Sequence, residues 1–224
     1  TTAADAAPLP TDVHAAPKDY DAPGPFPVGL VNFEATDPVR GRKVQFSLWY
    51  PALLPAGYGD GPMQVKWNEP PCAAPFSAPM GDPYYTGAQH EALANLYSSA
   101  SANCISHLCG GNNGALDMVG GLSPVIAFSH CSGCFRASSF SLAQRLASHG
   151  FAVIAPDHPP NTVFDELAGK ATGVTGSMLE TRVADMKFAL DLVLDPAAVA
   201  VPAQVRGHFD PGRVGCFGHS FGAL

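Results

Sequence analysis

The sequence predicts an α/β fold, a mostly parallel sheet covered by helices on both faces. Three observations carry that prediction. Three short apolar runs, at 124–128, 151–156 and 214–217, read as strands buried on both sides. Helical patterns at 137–149 and 177–194 separate them, as parallel neighbours require. A G-x-S-x-G pattern, Gly218 to Gly222, follows the third run directly. That pattern marks a sharp strand-to-helix turn that lifts a serine hydroxyl out of the backbone.

The elements follow in chain order. Residues 1–27 are rich in proline and alanine and predict an extended surface arm. The start, Thr1 to Pro8, reads as a mature end left by removal of a leader. Residues 28–224 form the N-terminal part of one α/β domain. Strands are expected at 28–35 and 43–50, with Asp37-Pro38 and Arg40-Gly41 turning the chain between them. In the second, Val44, Phe46, Leu48 and Tyr50 alternate with Gln45, Ser47 and Trp49, the pattern of an edge-side antiparallel strand.

Residues 51–122 change character. Pro, Gly, Ser and Asn dominate, three of the six cysteines lie there, and one helical stretch is expected at about 88–101. A long irregular segment within a compact domain is a loop or lid-like insertion. The helix at 137–149 should turn Leu142, Leu146 and Ala147 inward and stop at Gly150. Ser177 and Glu180 form a capping box that opens the next helix, which runs to Leu194. Its apolar stripe is expected at Leu179, Val183, Met186, Leu190 and Val193, leaving Asp185 and Asp191 as solvated charges.

Composition limits the function. The chain of 224 residues is 46% hydrophobic and 14% charged, with a net charge of -7. An acidic, charge-poor surface argues against nucleic acid and against anionic membrane surfaces. No run approaches the ~18 apolar residues of a membrane helix. An even cysteine count, scarce lysine and abundant proline favour an oxidising compartment, so a secreted or periplasmic protein. Six cysteines leave 15 pairings open. Cys216 is either a bridge partner or a buried strand residue that packs like a small hydrophobe.

Chemistry centres on Ser220. A serine needs a base to take its proton and donors for the oxyanion that forms. The backbone N–H of Phe221 is one natural donor. The loop at 128–136, which leaves the first parallel strand, suits the second, and Gly133 permits its tight path. His130, His158 and His219 are candidates to line the site. His130 reads better as a residue that orders its loop than as the base. No metal-ligand spacing appears among the histidines, and no cofactor is implied.

The residues at 24–29, 40–52, 128–136, 148–159 and 218–222 resemble the platelet-activating-factor acetylhydrolase and dienelactone-hydrolase-like branch of the α/β-hydrolases. The resemblance implies the α/β-hydrolase fold, Ser220 as nucleophile, and Phe221 and Ser132 as backbone donors to the oxyanion. It also implies chain order serine, acid, histidine, so neither His130 nor His158 is the base. The catalytic Asp and His, with the C-terminal strands, are then expected after residue 224. A second polypeptide or a continuation of this one would supply them. The family usually has glycine where Cys131 stands. Cys131 and Cys134 either bridge and stiffen the donor loop, pair elsewhere, or stay as thiols. If they bridge, reduction should lower turnover before the fold melts. The implied activity is hydrolysis of a small, short-acyl, lipid or polymeric ester through an acyl-enzyme. An amide hydrolase with the same serine and a non-catalytic binding protein of the same fold are the alternatives.

Overall fold

A computed structural model describes residues 24–53 and 117–224, and the backbone of three short strands between them. The expected helix at 88–101 lies outside the described residues, except that Ser101 begins a strand. Cys72, Cys109 and residues 1–23 also lie outside them.

Among the described residues, eight strands occur in chain order: β1 Val28–Asp37, β2 Arg42–Pro51, β3 Val65–Lys66, β4 Ser101–Ala102, β5 Cys104–Ser106, β6 Ser123–Ser129, β7 Ala152–Pro156 and β8 Phe209–Gly218. β3 and β4 pair with each other, and the other six form one sheet in the order β5-β1-β2-β7-β6-β8. β2 is antiparallel to both neighbours, while the β5–β1, β7–β6 and β6–β8 pairs are parallel. The sheet is therefore mostly parallel, with one reversed strand. The β1–β2 hairpin turns where Asp37 and Gly41 foretold. Asp37 Oδ1 accepts from Val39 N at 2.8 Å. Gly41 takes φ +61°, where a Cβ is disfavoured.

β2 is not at the edge. It lies between β1 and β7, and both of its faces are covered. Val44, Phe46, Leu48 and Tyr50 join one apolar cluster, and Trp49 is fully buried in the other. Its alternation reflects two different cores, not a core and solvent.

Helix α1, Phe140–Ser148, covers the Trp49 face; α2, Val163–Leu167, is a short turn; α3, Gly176–Leu194, covers the opposite face. In α1 Ala143 and Ala147 face the sheet, whereas Leu142 is 46% exposed. The small residues let the helix lie close to the strands, which shifts the inward stripe by one position from Leu142. α3 starts two residues earlier than the capping box at Ser177 implied. Thr175 is its N-cap, in extended backbone, and its hydroxyl accepts from Met178 N at 3.1 Å.

The stems of the 51–122 segment are tied together. Leu53 N donates to Asp117 O at 2.9 Å and Val119 N to Pro51 O at 3.0 Å, and Met118 is buried in the apolar cluster of Phe46 and Tyr50. Among the described residues, β8 pairs with β6 alone. Val214 on it is 43% exposed, and Cys216 is unbridged and exposed, so the expectation of a buried or bridged Cys216 fails among the described residues. No described helix is long and apolar enough to cross a membrane.

Candidate active site

The G-x-S-x-G turn follows β8 immediately. Ser220 has φ +54° and is the one non-glycine described residue with a positive φ. An L-residue there costs on the order of 1–3 kcal/mol and persists only where surrounding structure imposes it. The two glycines show what imposes it. A Cβ on Gly218 would lie 1.9 Å from Gly222 O, and one on Gly222 would lie 2.1 Å from Ser129 O. The turn is pulled against the end of β6, where His219 N also donates to Ser129 O at 3.1 Å. A 3-10 turn, Ser220–Ala223, follows. Ser220 and His219 are exposed, and Phe221 is buried.

The 130–136 loop faces this turn from the end of β6. Gly133 takes φ +67° and its N–H donates to Asn161 O at 3.3 Å. Cys131 and Cys134 are joined as a disulfide within the loop. Arg136 anchors the far end: its backbone N–H donates to Asp157 Oδ1 at 2.7 Å and its Nε to Ser47 Oγ at 3.0 Å. Ser132, the expected second donor, is half-buried, and its Oγ accepts from Asn161 Nδ2 at 2.9 Å.

His130 and His158 stack in the interior, with ring centroids 4.8 Å apart. His158 N donates to His130 Nε2 at 3.1 Å, so the His130 proton sits on Nδ1 and is donated to Cys131 O at 2.7 Å. His130 thus orders its own loop. Burial, with the charges of His158 and Arg182, drives its pKa well below the usual histidine value. His158 donates from Nδ1 to Asp185 Oδ2 at 3.0 Å, and Ser129 Oγ lies 3.1 Å from its Nε2. The linkage copies a serine–histidine–aspartate relay. Burial removes that use: Ser129 is 4% exposed and His158 is 0% exposed. Burial also lowers the His158 pKa, although Asp185 opposes it.

Asp185 is therefore no solvated charge. It is fully buried, and it accepts from Arg42 Nε at 3.1 Å and pairs with Arg40 NH1 at 2.8 Å. Burial would raise its pKa, but the His158 hydrogen bond and the Arg42 charge outweigh that and lower it. One turn earlier, Arg182 is 2% exposed. It donates to His130 O from NH1 and to Cys131 O from NH2 at 3.1 Å. NH2 also donates to Asn161 Oδ1, and the guanidinium carbon lies 4.7 Å from the Phe221 ring centroid. Burial lowers its pKa to about 10, so it stays charged at neutral pH.

The buried residues of α3 are Met178, Arg182, Asp185, Ala189 and Val193. Val193 is buried as expected, but the other four positions lie one residue before the expected ones, and Val183 is 52% exposed. The signal was present in the sequence. Positions 178, 182, 185, 189 and 193 keep helical spacing as well as the leucine-rich set does, but two of them carry charge.

Cys131, Cys134 and His219 bring possible metal-ligating atoms within 4.8 Å of one another. A disulfide offers no thiolate, so the pair as bonded is not a metal ligand set. Among the described residues, no histidine hydrogen-bonds Ser220. The structure thus brings together Ser220, Phe221, Ser132, His130 and His219 around the end of β6, with His158 beneath them.

A sheet of this order, crossed by helices on both faces, with a strained serine turn at a strand end, defines an α/β-hydrolase fold. The family described as platelet-activating factor acetylhydrolase, isoform II, matches residues 20–164. The chain belongs to that family. The matched span holds the 130–136 loop and His158, and Ser220 lies beyond it. A solved structure of a ferulic acid esterase from Streptomyces cinnamoneus is similar with a TM-score of 0.56 and 20% identity. That match covers 93% of this chain and 55% of the esterase chain, so the present chain spans about half the esterase's length. A search of curated proteins finds no match.

Proposed function

We propose that this chain carries the nucleophile and the oxyanion hole of a serine ester hydrolase. The observation that carries the reading is the positive φ of Ser220 between two glycines that admit no Cβ. A serine held there is strained, exposed, and set at the carboxyl end of a parallel strand, β8. Such a strained position in a sheet fold is a place for function, not packing.

In this reading the Ser220 hydroxyl attacks the ester carbonyl. The backbone N–H groups of Phe221 and Ser132 hold the oxyanion, the alcohol leaves, and water releases the acid from the acyl-enzyme. The base and acid come from a continuation of the chain or from a second polypeptide. The exposed β8 strand and the lack of a histidine partner for Ser220 among the described residues support this. The family's name denotes an acetyl ester and the structural neighbour's a ferulic ester, which favours ester over amide and a small or lipid-borne acyl group. The Cys131–Cys134 bridge stiffens the donor loop and suits a secreted or periplasmic protein.

The test is labelling of the native full-length protein with a fluorophosphonate probe, beside turnover of matched ester and amide substrates. Labelling and ester turnover are expected, both lost in Ser220→Ala. Unlabelled native protein defeats the enzyme reading, and faster amide turnover defeats the ester assignment.

A further inference from the structure

We infer that Arg182 is the positioning residue of the oxyanion hole, and that its one guanidinium aims both halves of it. The inference rests on the proposed roles of Phe221 and Ser132. It draws on contacts that those roles do not require.

The first half is the loop. Arg182 NH2 holds Cys131 O at 3.1 Å, and NH1 holds His130 O. A trans peptide is planar, so the C=O of one residue and the N–H of the next point in opposite directions. Fixing Cys131 O on the α3 side therefore turns the Ser132 N–H to the other side of the loop. Fixing His130 O does the same for the Cys131 N–H. A rotation of either peptide would have to break a charge-assisted hydrogen bond, the strong kind. A second grip acts on Ser132 itself. Asn161 accepts from Arg182 NH2 and donates to Ser132 Oγ at 2.9 Å. The side chain and the amide of Ser132 are thereby both referred to the same cation.

The second half is the turn. The Phe221 ring lies over the guanidinium, 4.7 Å from ring centroid to carbon, and is 5% exposed. Loop and turn come from different strands, β6 and β8. Arg182 touches both. Among the described residues, the acceptors of its hydrogen bonds are carbonyl and side-chain oxygens of this region and no carboxylate. A buried cation used for stability alone would be expected to sit against a carboxylate, as Arg136 does against Asp157. Arg182 instead spends its donors on the carbonyls that set peptide direction. Lysine offers a point charge without the planar fork and cannot reproduce this.

The experiment compares steady-state ester hydrolysis by the native full-length protein with that of Arg182→Lys and Asn161→Ala, each checked by thermal melting. Removing one oxyanion donor costs on the order of 10²–10³ in kcat, so a misaimed donor should cost about 10–100-fold. The expected result is that kcat falls by that factor in both variants while KM stays within about threefold. Fluorophosphonate labelling should slow in parallel. Where Arg182→Lys does not fold, Asn161→Ala decides, because it frees Ser132 without removing the buried charge. Folded variants with wild-type kcat, or with a change confined to KM, overturn the inference. A wild type that neither labels nor turns over ester overturns the function proposal instead, which separates the two failures.

Discussion

Asp185 offers the sharpest discrimination between a charge in solvent and a charge in the interior. It is fully buried and accepts from His158 Nδ1 at 3.0 Å, from Arg42 Nε at 3.1 Å, and pairs with Arg40 NH1 at 2.8 Å. Replacing it with alanine has unequal consequences for these partners. The Arg40 and Arg42 side chains are 25% and 22% exposed and can turn to water. The His158 ring is fully buried and cannot, so its Nδ1–H is left without an acceptor. An orphaned buried donor costs about 1–3 kcal/mol, and breaking a buried pair about 3–5 kcal/mol. The rehydrated arginines place the expected loss at the low end, about 3 kcal/mol. In a domain of this size each kcal/mol moves the melting temperature by about 2–4 °C, so Asp185→Ala should melt about 6–12 °C lower. A solvated aspartate would change stability by no more than about 0.5 kcal/mol. The assay is thermal and urea unfolding at pH 7. There the lowered pKa of Asp185 keeps its stabilising contribution whole; it is lost only as acid protonates the folded carboxyl, below the ordinary value of 3.8. Asp185→Asn, which keeps an acceptor for His158, should lose clearly less. A melting shift under about 2 °C for Asp185→Ala would refute the buried network.

Two other outcomes follow from the same geometry. Gly222→Ala puts a methyl 2.1 Å from the Ser129 carbonyl oxygen, a backbone atom that cannot swing away. The variant should lose about 1–3 kcal/mol of stability and nearly all probe labelling, and wild-type values of both would be fatal to the tight-turn account. His130 is held neutral with its pKa well below 6.5 by burial, so the folded state binds fewer protons than the unfolded state in mild acid. Its contribution is whole above about pH 6.5 and declines as pH falls below that, by up to about 1.4 kcal/mol per pH unit. His158, also lowered, adds in the same direction. Urea midpoints at pH 7.5 and 5.5 test this, and a midpoint that rises in acid contradicts it.

The strands were legible because a buried parallel strand announces itself as a short apolar run bounded by turn residues. The strained serine turn was legible because its glycines are fixed by sterics that leave a pattern of five letters. Both are local signals. What escaped was non-local. Asp185 is 143 positions from Arg42, with which it pairs, and nothing in the local helical pattern reveals that partner. The same holds for β2, whose alternation is the same whether its second face meets water or a second core. The phase of α3 failed for a related reason. Met186, Phe188, Leu190, Leu192 and Leu194 partly cover the core beside the true stripe, so the apolar pattern was broad, while two positions of the buried stripe itself are charged. Sequence periodicity ranks positions by apolarity and so passes over a buried cation and carboxylate that satisfy each other's surroundings.

That buried charge has a physical logic that stability alone does not supply. Taking ions out of water is costly, and well-packed apolar side chains often stabilise an interior equally well. What apolar side chains cannot do is hold a carbonyl oxygen in a chosen direction. The segments around Ser220 are loops and a single 3-10 turn, where regular helix or sheet bonding does not set peptide orientation. Arg182, Asn161, Arg136 and Asp157 perform that task with side chains, fixing the carbonyls of His130 and Cys131, the Ser132 hydroxyl, and the N–H of Arg136. Asp185 and His158 in turn fix the Ser129 hydroxyl one residue before the loop begins. The charges cluster at the carboxyl ends of β6 and β7 because that is where the chain leaves the sheet and loses its ladder. A loop that must present an amide in one orientation needs such a substitute for the ladder, and a loop that merely connects two elements does not.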